Sequence, residues 1–143
     1  MVYLLFGEDE YLRNEYLKKI KKAFGDMQLG INYIAIDETN VMQIISDIET
    51  PAFGFEKKLI IAKETGLFKK KNNFSDKVAI YLEENVANLQ DVELVFVDQE
   101  VEKNKLYNTI QKIGKVEEFK EKIMPQLITK VKSISKAYNV EIQ

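Results

Sequence analysis

Met1 to Leu12 reads MVYLLFGEDEYL: an unbroken apolar run from Val2 to Phe6 stops at Gly7 and passes at once into Glu8, Asp9 and Glu10. A short continuous apolar run ended by glycine is the pattern of a strand buried on both faces of a parallel sheet. The next stretch has the period of a helix, because Leu12, Tyr16, Ile20 and Phe24 recur every fourth residue while Arg13, Lys18, Lys19, Lys21 and Lys22 take the other faces. Its acidic start and lysine-rich end before Gly25 suit the helix dipole. Strand, glycine, helix is the frame of a phosphate-binding loop. Such a loop, however, ends in a Lys-Ser/Thr pair and leaves its amides free for an anion. Here three carboxylates stand in the phosphate's place, so Gly7 is expected to make a tight turn and no more.

The same alternation continues outward. Asn32 to Asp37 (NYIAID) reads as a second strand, and Val41, Ile44, Ile45 and Ile48 mark one side of a helix after a candidate Asn40 cap. Lys58 to Ala62 (KLIIA) is the third strand. A candidate Ser75 cap opens a helix that turns Val78, Tyr81 and Leu82 inward, and Val92 to Val97 (VELVFV) is the fourth strand, closed by Asp98. Leu106, Ile110 and Ile113 line a helix ending at Gly114, before a short strand at Lys115 to Phe119. Strands separated by helix-length segments indicate βαβ crossovers, and so an α/β fold: a parallel sheet with helices on both faces. Near the end, Pro125 opens a stripe of Leu127, Ile128, Val131, Ile134 and Tyr138 with no strand after it.

Composition narrows the chemistry. The 143 residues are 45% hydrophobic and 31% charged, which is enough apolar material for one well-packed domain. The net charge of −2 provides no overall field toward nucleic acid or anionic lipid. Cysteine and histidine are both absent. Disulfides, thiolate or histidine catalysis and most transition-metal sites go with them, leaving carboxylate-bound magnesium or calcium as the metal option. No apolar run approaches the roughly 20 residues that span a bilayer, and no signal-peptide pattern opens the chain. A cytoplasmic protein without membrane contact is expected.

Individual motifs then divide between chemistry and structure. LVFVDQE resembles the magnesium-binding strand of an ATPase, but Gln99 stands where the second, water-activating carboxylate belongs, so Asp98 is expected to end a strand. Glu8 and Asp9 imitate the acidic pair of a phosphorylated receiver domain, yet the third strand runs into Lys63 and Glu64 instead of an acceptor aspartate. No spacing selects two carboxylates for hydrolysis. Phe68 to Phe74, with three lysines, suits either a surface loop anchored by two rings or a stacking platform for single-stranded nucleic acid. The least ordinary stretch is Glu49 to Lys58, ETPAFGFEKK. It places Phe53 and Phe55 around Gly54 behind Pro51, where a helix-to-strand turn is normally polar. Either both rings tuck under the sheet, or one projects as an anchor for a partner.

Taken in order, YLLFGEDEYL, TPAFGFEKKLIIAKETGLF and LVFVDQEVEKNKLYNTIQKIGKVEEF resemble the amino-terminal region of the delta subunit of the bacterial DNA polymerase III clamp loader. The likeness runs from Val2 to about Phe119 and more loosely beyond. It implies a P-loop NTPase-like, AAA+-like domain over residues 1–122 without a functional nucleotide site. Residues 123–143 would then be the truncated start of a following helical domain. It further implies no cofactor and no catalytic activity of its own, within the polymerase III nucleotidyltransferase holoenzyme. The implied partners are the sliding clamp (beta subunit), the other loader subunits through missing carboxyl-terminal domains, and primed DNA indirectly. The implied clamp contact is Pro51, Ala52, Phe53, Gly54 and Phe55. Ala52 is smaller than the family's usual residue there, so Phe55 is a candidate to replace it. The competing reading is a small nucleotide-dependent enzyme with a degenerate phosphate loop.

Overall fold

The computed structural model describes residues 1–69 and 72–120. Strands β1 (Val2–Phe6), β2 (Tyr33–Ile36), β3 (Lys58–Lys63), β4 (Val92–Asp98) and β5 (Lys115–Glu118) form one sheet, in the order β2-β3-β4-β1-β5. All four pairings are parallel, with Leu4 opposite Phe96 and Val116 in the central register. The helices are α1 (Glu10–Phe24), α2 (Ile44–Glu49), α3 (Asn73–Glu84) and α4 (Lys105–Ile113).

Alternation along the strands divides the core in two. Leu4, Ile60, Leu94 and Phe96 face Ile44 and Ile48 of α2, Val78 and Leu82 of α3, and Leu106 and Ile110 of α4. Leu5, Leu59, Ile61, Val95 and Val97 face α1 through Leu17 and Phe24. The crossover through α1 carries the chain outward past β4 and β3, and every later crossover moves back the other way. Crossovers of a single hand require those two directions of travel to use opposite faces. That is why α1 lies by itself on its side among the described helices.

Three local expectations are corrected. The cap of α3 is Asn72, whose side chain accepts from the Ser75 amide, while Ser75 is buried inside the first turn. Asn40 precedes a 3-10 turn (Val41–Gln43) without capping it, because its side chain accepts from the Asp37 amide and donates to the Ala35 carbonyl. Arg13, expected on the solvated face of α1, is 9% exposed. The buried stripe of α1 runs through Arg13, Leu17 and Phe24, with Tyr16 and Ile20 half-buried beside it. Arg13 there lies near enough to the Asp98 carboxyl to oppose the rise of its pKa. The Pro125 helix lies outside the described residues. Among the described residues, no helix is long and apolar enough to cross a membrane.

Candidate functional site

In an open parallel sheet, ligands bind where neighbouring strands send their connections to opposite faces. Here that crevice lies between the carboxyl ends of β1 and β4, at Gly7 to Asp9 and Asp98 to Glu100. Its anion-binding groups are already engaged. The Gly7 amide donates to the Gln99 carbonyl at 3.1 Å and the Asp9 amide to the Phe119 carbonyl at 3.0 Å. Asp9 caps α1, its Oδ1 accepting from the Leu12 amide at 3.0 Å. Gly7 has φ +124°, and a Cβ there would lie 2.2 Å from the Phe119 carbonyl oxygen. The glycine exists for the close approach of the chain after β5, as the tight-turn reading expects.

The surroundings are acidic. The crevice itself holds a cavity of about 660 Å³ lined by Gly7, Glu8, Glu100, Glu118 and Lys120. Beside it, at the carboxyl ends of β3 and β4, a second cavity of about 640 Å³ is lined by Glu64, Asp98, Glu100 and Glu102, with Lys69 the single cationic side chain among the described residues of its lining. That volume suits a small ligand, but the charge is wrong for a phosphate. Asp98, 6% exposed at the end of β4, has its pKa raised to about 7, first by burial and then by the facing Glu64 carboxyl, with Arg13 and Lys69 opposing. Glu64 also accepts from the Gln99 amide at 3.1 Å, so the degenerate glutamine position is tied down by its own backbone. Among the described residues, no group of three or more carboxylates is arranged to hold a metal ion.

The other candidate is the α2–β3 connection. The Phe55 amide donates to the Ala52 carbonyl at 2.9 Å, closing a β-turn with Phe53 and Gly54 at its centre. Gly54 has φ +86°, the left-handed value that the third residue of a type II turn needs and that glycine adopts without strain. Phe53, at the corner, is 79% exposed, the most exposed large apolar side chain among the described residues. Ala52 and Phe55 are half-buried, and Pro51 is exposed. Of the two rings left open by composition, Phe53 projects and Phe55 leans against the body. Phe68 and Phe74, by contrast, turn into the core, with Phe68 edge-on to Phe96 at 5.4 Å, which is the loop-anchor reading of that stretch.

The profile of the family described as "DNA polymerase III, delta subunit" matches residues 3–128. The chain belongs to the DNA polymerase III delta subunit family. Among solved structures, the Bacillus subtilis DNA clamp loader delta protein (YqeN) is similar at a TM-score of 0.67 and 24% identity, over 85% of this chain and 38% of that one. At that identity the likeness speaks for the fold, and this chain spans well under half the length of that relative. No curated protein sequence matches it. Within the delta family the α/β sheet is thus accounted for. The sequence reading placed Arg13 on a helix face and Lys58 and Glu64 at strand ends but gave none of them a part in a site. Only Lys58 carried a signal, as a cation at the start of the apolar run Leu59 to Ala62.

Proposed function

We propose that this delta-family chain binds the sliding clamp through the Ala52–Phe55 turn and helps open the ring during its loading onto DNA, with no nucleotide chemistry of its own. The observation that supports this is Phe53, a ring 79% exposed on a turn whose geometry is set by its own hydrogen bond and by Gly54. Exposed aromatics presented with little conformational freedom dominate interface energies, because the ring loses water contact on docking while little order remains to be imposed. Half-buried Phe55 and Ala52 form the shoulder of the contact, with Pro51 at its entry. The other loader subunits are proposed to join through regions beyond this chain, and primed DNA is reached indirectly.

The test is surface plasmon resonance of this chain on an immobilised bacterial sliding clamp. Phe53→Ala should weaken binding by about 2 kcal/mol or more, roughly thirtyfold. Its folding stability should change by no more than about 0.5 kcal/mol, since the ring packs mainly against solvent. Unaltered affinity in Phe53→Ala would remove the turn from the clamp contact.

A further inference from the structure

Lys58 opens β3 and is 4% exposed, a rare place for an ammonium group. Its Nζ donates to the Asp47 carbonyl at 2.5 Å and also to the Thr50 carbonyl. These belong to the last turn and cap of α2, where carbonyls lack partners within the helix and where the helix dipole favours a cation. The backbone of Lys58 is fixed independently. Its amide donates to the Asp91 carbonyl at 2.9 Å, and the residue pairs in register with Val92 of β4. Thr50 is held from its other side, with its amide donating to the Ser46 carbonyl at 3.0 Å and its hydroxyl to the same oxygen at 2.7 Å. Burial pulls the Lys58 ammonium below its ordinary pKa, while Asp47 opposes that pull.

The two ends of Pro51 to Lys57 are therefore joined across the gap by one side chain. We infer that Lys58 is a positioning residue that closes this loop and holds the Ala52–Phe55 turn in the geometry that presents Phe53. Without the ammonium, the Thr50 carbonyl is no longer tied to the sheet and the loop samples more conformations before any partner arrives. Ordering it then falls to the binding step. The role of Lys58 in the turn stands on geometry alone, and its consequence for affinity rests on the clamp-binding reading of Phe53.

The experiment is 15N relaxation on the 143-residue chain, compared with Lys58→Met, alongside clamp affinity. The wild-type amides of Phe53, Gly54 and Phe55 should show order parameters near the rigid-backbone value of about 0.85, falling below about 0.6 in Lys58→Met while the β3 and β4 amides stay rigid. Clamp affinity should fall about tenfold with Phe53 still present. A merely structural lysine would lower the melting temperature without loosening the turn relative to the strands. Unchanged turn order in folded Lys58→Met overturns the inference, as does a wild-type turn that is already disordered. If Lys58→Met does not fold, Lys58→Gln, which keeps a donor for one carbonyl, and the wild-type measurement decide on the same criteria. A turn that loosens in a chain that never binds the clamp overturns the clamp reading and leaves the positioning role intact.

Discussion

Gly7 stands 2.2 Å, measured from an ideal Cβ, from a carbonyl oxygen that cannot rotate away, since the obstacle is the backbone of Phe119. Gly7→Ala is therefore expected to destabilise the fold by about 3 kcal/mol, combining the clash with an alanine held at φ +124°. Thermal unfolding checks this, and a melting temperature equal to wild type would contradict the steric account. Asp98 makes the opposite kind of prediction. Its folded pKa of about 7 lies above the unfolded 3.8, so the folded state holds the proton more tightly. The linked stability is fully present below the unfolded value and is lost as pH rises through about 7. Wild-type stability should fall between roughly pH 4 and 7 by about 2–4 kcal/mol from this group. In Asp98→Asn, which has no proton to lose, that part of the slope should vanish in urea titrations across the range.

The helices on the three-helix face are held by side chains that bridge elements as well as by their apolar stripes. Asn104 caps α4 by accepting from the Tyr107 amide at 3.0 Å, while its Nδ2 donates to the Leu67 carbonyl at 2.8 Å, in the loop after β3. Asn72 plays the same double part for α3, its Nδ2 reaching the Gly66 carbonyl at 3.0 Å. Both caps thereby fasten a helix start to the segment that walls the acidic crevice. Asn104→Ala should cost about 1–2 kcal/mol, a cap and a partly buried hydrogen bond together. Chemical denaturation at neutral pH would measure it. A loss under about 0.5 kcal/mol would mean that solvent replaces both bonds.

For the molecule as a whole, the carboxyl ends of the sheet strands carry mostly negative side chains among the described residues. Glu8, Glu64, Glu100 and Glu118 rim the two cavities there, while Lys69 and Lys120 are the cations among the described residues of their linings. Like charges about 4 Å apart repel by about 4 kcal/mol at an effective dielectric of 20, and several carboxylates would face a triphosphate. Isothermal calorimetry with ATP and magnesium should give no measurable binding at micromolar concentrations. A micromolar dissociation constant would revive the nucleotide-dependent enzyme. The charged end of the sheet and the apolar turn after α2 thus divide the surface, one lined mainly by carboxylates and the other presenting a ring.

Among the described residues, the order and kind of the strands and α-helices were legible along the chain, because a strand buried on both faces is a continuous apolar run and a surface helix carries the 3.6-residue period. The missing Lys-Ser/Thr was legible as a departure from the phosphate-loop pattern, whereas the contact that requires Gly7 lies at Phe119, far along the chain. Helix starts were less legible. Asn72 and Ser75 are both good caps by type, and the choice fell to Asn72, whose amide nitrogen also reaches Gly66 from a different part of the chain. Arg13 looked solvated because the Asp98 carboxyl it acts on electrostatically is 85 residues away in sequence and comes near only once β4 lies beside β1. The two rings of ETPAFGFEKK are equally apolar, so composition could not say which one projects. The turn closed from Phe55 to Ala52 is local, but which ring it leaves exposed depends on how α2 and β3 anchor its ends, and the contact of the Lys58 ammonium with the end of α2 exists only when β3 is paired with β4 and α2 ends against it. Periodicity reports which face of an element is apolar. Contacts between residues far apart in sequence determine where the polar exceptions go, and those exceptions form the candidate site.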